Sequence, residues 1–316
     1  MPVIRKFIID TDTASDDAAA LIMAAFDKNI ELLGVTTVAG NVNAEQATKN
    51  ALATLEVCDC DVLVYKGAAS PLLRERYDTI SVHGTDGMGD SGIINPTRTH
   101  EKQRAVDFIL ETVEKYPDEV EIAVLGPATN IALAIMTDRD IMKKVKHIWS
   151  MGTPGFGPGN ATPVSEFNVF IDAEAYAVML DSGIPITIAG FDICLGECSL
   201  GKKELSLFAS GSKAGRFLEK ATSKLLKFNY ETLGSYEVAL PDAIAMAAAL
   251  WDGFVLESVG CYCKCCTEDN ETYGQVIFYE DGRIYEAVPN RPKANASVIT
   301  KVDSNLFTNK ILELMT

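Results

Sequence analysis

The chain reads as an α/β protein with a mostly parallel central sheet, helices on its faces, and a small antiparallel meander toward the C-terminus. Two observations predict this. Through the first 190 residues, short apolar runs of strand type alternate with amphipathic stretches of helical period, the pattern of βαβ units. After residue 200 the order changes to successive helical stretches and then to alternating segments broken by Gly-containing turns.

The elements follow in order. Strands are predicted at residues 3–9, 31–37, 62–65, 120–125, 145–151 and 185–190, with helices at 16–28, 43–57, 102–115, 129–137 and 172–181 between them. Phe7, Ile8 and Ile9 supply the first strand, and the apolar helix from Ala18 to Phe26 opens on Asp16 and Asp17, whose charges favour its dipole. Two long interruptions stand out: 67–100, rich in Gly and Asp, and 152–168, rich in Gly and Pro. Long loops in a compact α/β domain are usually lids or binding loops. Beyond them come helices at 204–209, 213–232 and 242–250, then alternating segments at 258–265, 273–279 and 283–288. Glu280-Asp281-Gly282 marks a hairpin turn, and a last helix is expected at 303–314. No repeat, low-complexity tract or linker interrupts residues 1–316, so one domain is expected.

Composition narrows the function classes. The net charge of −16 repels phosphate backbones and no basic run exceeds a Lys-Lys pair, which argues against nucleic acid as a partner. A membrane is not expected either, because only Arg5 and Lys6 precede a short apolar strand and no apolar stretch reaches spanning length. The expected compartment is the cytoplasm, where the eight cysteines would stay reduced. Cys261, Cys263, Cys265 and Cys266 invite a zinc reading, but alternate residues of a strand stand about 7 Å apart on one face, too far for shared coordination. They are expected to pack as small apolar groups.

The chemistry concentrates at the ends of the predicted strands. Asp10-Thr-Asp12-Thr-Ala-Ser-Asp16-Asp17 puts four carboxylates into eight positions directly after the first strand. Like charges a few ångströms apart repel by about 1 kcal/mol in water and by several times that where solvent is partly excluded. A hard divalent cation held by oxygen ligands removes that cost, and calcium or magnesium suits carboxylates better than zinc does. A solvated acidic turn before a helix would look the same in isolation. Further strand ends deliver Asn41 and Asn43, Leu125-Gly-Pro-Ala-Thr-Asn130, Met151-Gly, and the run Gly159-Asn160 to Glu166-Phe167-Asn168; Leu240-Pro241-Asp242 opens a later apolar helix. One sheet edge would gather them all.

Four of these stretches resemble the calcium-dependent inosine-uridine nucleoside hydrolases: Asp-x-Asp-x-x-x-Asp-Asp, Thr-Thr-Val-x-Gly-Asn, Gly-Pro-x-Thr-Asn-Ile-Ala and Gly-Asn-x-Thr-x-x-x-Glu-Phe-Asn. The likeness covers nearly the whole chain. It implies the nucleoside hydrolase fold with a Rossmann-like sheet, cleavage of the N-glycosidic bond of ribonucleosides, bound Ca2+, and a homodimer or homotetramer. Carried over by position, the metal ligands are Asp12, Asp17, Asp242 and the carbonyl of Leu125, and Asp12 is also the general base. Substrate would be held by Asp16, Asn41, Met151, Asn160, Glu166, Phe167 and Asn168, while Asp10 supports the loop.

One position departs from the family. Members acting on inosine and uridine carry a leaving-group His just before the last metal Asp, where this chain has Pro241. His83, in the first long loop, is the candidate replacement, since an unperturbed imidazole suits acid catalysis; His100 and His147 have no comparable context. Aromatic stacking on the base by Tyr77, Phe156, Phe167, Phe228, Tyr230 or Tyr236 is a second option, and unassisted departure a third; Trp149 and Trp251 are expected in the core. Two other functions fit parts of the pattern. A calcium-loaded nucleoside-binding protein would keep the ribose cup and little turnover. A haloacid-dehalogenase-type phosphatase would use Asp10 as nucleophile, but it gives no reason for the Asn-rich later loops.

Overall fold

The computed structural model describes residues 4–288 and 292–316. Strand β1 (Arg5–Thr11) feeds helix α1 (Ser15–Phe26), and β2 (Ile30–Thr37) feeds α2 (Ala44–Val57) and then β3 (Val64–Lys66). A long excursion holds the short α3 (Ile80–His83) before α4 (Ala105–Lys115) and β4 (Val120–Val124). Helices α5 (Thr129–Thr137) and α6 (Arg139–Met142) lead to β5 (His147–Met151). The second excursion ends in α7 (Phe167–Ile171), followed by α8 (Ala173–Leu180) and β6 (Ile186–Ala189). Next come β7 (Leu200–Gly201), α9 (Lys202–Ser210), α10 (Lys213–Ala221), α11 (Ser223–Leu233), β8 (Glu237–Val238) and α12 (Pro241–Leu250). The chain closes with β9 (Val255–Cys265), β10 (Val276–Glu280), β11 (Ala296–Val302) and α13 (Ser304–Met315).

Nine strands form one sheet in the order β10-β9-β11-β6-β5-β4-β1-β2-β3. Every pair from β3 across to β11 is parallel, and β9 runs antiparallel to both β11 and β10. Strand β1 pairs with β2 on one side and β4 on the other, so the winding direction reverses there. Such a reversal opens a crevice beyond the carboxyl ends of the two strands, where open α/β sheets bind ligands.

Side-chain alternation in β1 builds a core on each face. Phe7 and Ile9 join the layer of α1, α10, α12 and α13, whereas Ile8 joins the layer of α4, α5 and α8. Helices α1 and α12 are rich in buried alanine and pack on each other, which brings their acidic first turns, Asp16-Asp17 and Asp242, to the same place. On β9, Cys261, Cys263 and Cys265 are buried in the second layer, as strand packing requires.

Three elements differ from expectation. The helix expected at 213–232 is two helices, divided at Thr222, whose hydroxyl donates to the Leu218 carbonyl (2.9 Å) and bends the chain. Residues 283–288 form no strand, because β9 is already paired on both sides. The interior place beside β6 goes instead to β11, a β-branched segment that the sequence reading missed. Residue 3, the expected start of the first strand, lies outside the described residues. Among those described, no helix is long and apolar enough to cross a membrane.

Candidate active site

Asp12 leaves the carboxyl end of β1 completely buried. Its Oδ2 accepts a hydrogen bond from the Asn41 amide at 2.6 Å, and its carboxylate fits a slot with glycine on both sides. A Cβ at Gly40 would stand 2.1 Å from Oδ2, and one at Gly126 would stand 2.6 Å from Oδ1. Oδ1 itself has no hydrogen-bond partner. Burial pushes this carboxyl well above the usual carboxylate range, the charge of Asp17 adds to the push, and the Asn41 amide opposes it.

Asp17 and Asp242 complete the floor. Asp17 accepts from the Thr11 hydroxyl (2.5 Å) and the Ala14 amide (2.8 Å), yet burial and then the charge of Asp16 push it up to about 7. Asp242 sits directly after Pro241, which starts α12 without needing an amide donor, and it is raised by burial and then by Asp17, Asp16 and Asp12. One carboxylate oxygen each from Asp16, Asp17 and Asp242 lie within 4.8 Å of one another. Asp12 is outside that trio but near enough for its charge to act on Asp242. Asp16 Oδ1 is a second buried oxygen with no partner. An all-oxygen donor set of this kind fits a hard divalent cation.

Asp10 lies beside this floor with a different set of bonds. Its Oδ1 accepts from Thr36 (2.5 Å) and Asn130 (2.7 Å), its Oδ2 has no partner, and burial pushes it up to about 7 against those two bonds. Asn130 also donates to the Thr37 carbonyl and accepts from the Ala68 amide, tying β1, β2 and the segment after β3 together.

The second long loop supplies the opposite wall. Glu166 caps α7, accepting from the amides of Asn168 (2.9 Å) and Val169 (3.2 Å), and burial pushes it up to about 7. Asn168 donates from Nδ2 to the Leu125 carbonyl (2.8 Å) and reaches Met151 Sδ at 3.3 Å, so three of the expected residues meet at one side chain. Asn160 is exposed at the rim, where its Oδ1 accepts from the Phe167 amide (2.9 Å). Phe167 and Met151 are buried.

The first long loop brings His83 over the cluster. Its Nδ1 is 2.7 Å from Ser15 Oγ and 4.0 Å from Asp16 Oδ1. Burial lowers its proton affinity and Asp16 opposes that effect. Short helix α3 is docked by Thr79, whose amide and hydroxyl both donate to Asn41, at 3.1 and 2.6 Å.

The sequence reading did not include Ser15, Thr79 or Thr153. Thr153 is fully buried with φ +72°, a left-handed conformation that a β-branched residue rarely adopts, and its amide bonds to Glu166. A polar residue between Met151-Gly and Pro154 was the available signal for it; Ser15 was hidden inside the acidic run. Of the aromatic candidates, Tyr230 and Tyr236 stack at 4.1 Å, Phe156 lies against Phe278, and Tyr77 meets Phe170 edge-on. Trp251 is buried among Phe254 and Phe307, and Trp149 is half-buried against Glu121 at the other end of the sheet.

Comparison with known proteins agrees with this geometry. The profile of the inosine-uridine preferring nucleoside hydrolases matches residues 7–309. Uridine nucleosidase 1 of Arabidopsis thaliana is 38% identical over 253 residues, 78% of this chain and 74% of that protein. The pyrimidine-specific ribonucleoside hydrolase RihB of Escherichia coli O157:H7 is 30% identical over 98% of this chain and 96% of its own length. The structure of the plant nucleoside hydrolase PpNRh1 superposes with a TM-score of 0.92 at 28% identity, covering 99% of both chains.

Proposed function

We propose that this chain, which belongs to the inosine-uridine preferring nucleoside hydrolase family, cleaves ribonucleosides with Asp12 as the base that takes a proton from the attacking water. It is a nucleoside hydrolase, and its reaction is hydrolysis of the N-glycosidic bond to free base and ribose. The observation that carries the role of Asp12 is its divided carboxylate: Oδ2 is fixed by Asn41 and the glycine slot, while Oδ1 is buried with no protein partner. A base held in one orientation with one oxygen to spare suits proton abstraction.

Asp12, Asp17, Asp242 and the Leu125 carbonyl are the residues that would hold the cation, and calcium is the ion we assign to them. That choice is supported by the carboxylate oxygens of Asp17 and Asp242, which lie within 4.8 Å of each other and of Asp16, and by the unpartnered oxygens of Asp12 and Asp16. When bound, such an ion supplies Lewis acidity toward water and the ribose diol. Asp16, Asn41, Asn160, Glu166 and Asn168 would bind ribose, with Met151 and Phe167 behind them. Cleavage develops positive charge on the ribose ring, and a cup of carboxylates stabilises that state more than it stabilises neutral substrate. Water drawn from one face predicts inversion at the anomeric carbon. Because Pro241 has no proton to give, the base is assisted by His83, whose ring lies 4.0 Å from Asp16.

The decisive measurement is ribose release from a panel of purine and pyrimidine nucleosides, with calcium and after chelation. Calcium-dependent release is expected. Saturable nucleoside binding without release over hours would instead favour a binding protein that retained the ribose cup.

A further inference from the structure

We propose that Ser15 is the positioning residue for His83, holding the imidazole by Nδ1 so that Nε2 is reserved for the departing base. The inference rests on the hydrolase reading above and extends it to a residue that the catalytic assignment does not use.

Geometry carries the argument. Ser15 Oγ and His83 Nδ1 are 2.7 Å apart, and both residues are buried. Ser15 is the first residue of α1, and its neighbours Asp16 and Asp17 belong to the floor of the site, so its place is fixed by the same turn that fixes them. His83 is held independently from its own side: its amide bonds to the Thr79 carbonyl (3.0 Å), and Thr79 is bonded twice to Asn41. The ring therefore has one tethered nitrogen on a doubly anchored backbone. Among the described residues, no group forms a hydrogen bond with Nε2.

A serine hydroxyl suits this task because it can donate to an unprotonated Nδ1 or turn to accept from Nδ1–H. Donation by Ser15 selects the tautomer with hydrogen on Nε2, the form able to donate onward. As the C1′–N bond breaks, its electron pair stays on the base nitrogen, and a hydrogen bond from Nε2–H stabilises the charge gathering on the base. Pro241 cannot provide that bond. A carboxylate in place of Ser15 would add one more charge to a crowded cluster, and an apolar residue would leave Nδ1 without a partner.

The test compares two leaving groups. Nitrophenolate departs from a p-nitrophenyl riboside without help, whereas a nucleobase needs it. For Ser15→Ala, kcat on the best nucleoside is expected to fall about 10-fold or more, while kcat on the nitrophenyl riboside stays within about 2-fold. Imidazole 15N shifts supply a second readout, with only three histidines to assign. The His83 signals should move from the Nε2–H tautomer toward a mixture in the variant. In a His83→Ala background the Ser15→Ala change should add nothing on nucleosides, and circular dichroism should show both variants folded. Equal losses on the two substrates, additive losses in the double variant, or an unchanged tautomer would overturn the role of Ser15 and leave the hydrolase reading intact. A wild-type protein that releases nothing from either substrate class would overturn both.

Discussion

A single buried carboxylate at one end of the sheet and a cluster of them at the other are treated in opposite ways. At the amino ends of the strands, Glu121 is 2% exposed and each of its oxygens has two donors. Arg5 and Lys146 serve Oε1, and Arg5 and Trp149 serve Oε2. Burial alone would push Glu121 up, but these bonds and the Arg5 charge outweigh it and bring the carboxyl down to about 2. At the carboxyl ends, Asp10, Asp12 and Asp16 each keep an oxygen with no partner, and Asp12, Asp17 and Asp242 are held above the usual carboxylate range. The first arrangement is how a fold accommodates a charge. In the second, the same fold withholds donors from several charges at once, which is the mark of a functional site.

The largest test of that contrast exchanges one carboxylate at each end for its amide. Asp12→Asn is expected to lower kcat/KM by roughly 10²–10⁴-fold with little loss of stability, since it relieves like-charge repulsion. Retention of more than about a tenth of the activity would remove Asp12 from the role of base. Glu121→Gln should do the reverse, leaving kcat/KM close to wild type and lowering unfolding free energy by about 3 kcal/mol, the worth of its depressed proton affinity. Its sign is fixed by linkage. The folded pKa of Glu121 lies below the ordinary 4.5, so its contribution is complete above that value and disappears as pH falls toward 2. Wild type should therefore lose more stability than the variant when urea melts are taken from pH 5 down to pH 2.5. Parallel curves would mean that Glu121 is no better compensated than the cluster.

A somewhat smaller effect is expected from the ion. Calcium at about a hundred times its dissociation constant should stabilise the fold by about 2.7 kcal/mol, raising the melting temperature by on the order of 5 °C. Chelator should reverse the shift, and Asp17→Asn should abolish it. An equal shift in Asp17→Asn would place the ion elsewhere.

One side of this contrast, the carboxyl-end cluster, was legible in the chain itself. The acidic run sits between β1 and the first turn of α1, and Asp242 in the first turn of α12, where periodicity and capping chemistry are strongest, so an acidic cluster could be read from spacing; the separate roles of Asp12, Asp17 and Asp242 came only from the resemblance. Ser15 could not, because its function is a contact with His83 sixty-eight positions away, made only when a long loop folds over α1. Thr153 was obscure for another reason: its left-handed backbone is imposed by packing, and nothing in local propensity favours it. Glu121 was missed as well, since a lone Glu in an apolar strand resembles an exposed edge residue until Arg5, Lys146 and Trp149 are brought beside it. The expected strand at 283–288 has the right alternation, but the places beside β9 belong to β10 and β11.

The finest test removes one neutral donor from each end. Trp149→Phe deletes the indole bond to Glu121 (2.9 Å) but keeps a ring against His147, and Oε2 retains Arg5. No oxygen is orphaned, so the cost should be about 1 kcal/mol, near the ordinary worth of a hydrogen bond. Thr36→Val deletes the hydroxyl bond to Asp10 (2.5 Å) and preserves a β-branched shape at a fully buried position of β2. There only Asn130 would remain for a carboxyl whose other oxygen already lacks a partner, so the loss should approach about 2 kcal/mol. The difference between the two variants, measured in the same buffer without divalent ions, isolates the effect of prior satisfaction from that of the bond removed. Equal costs would show that the two ends of the sheet handle buried charge alike.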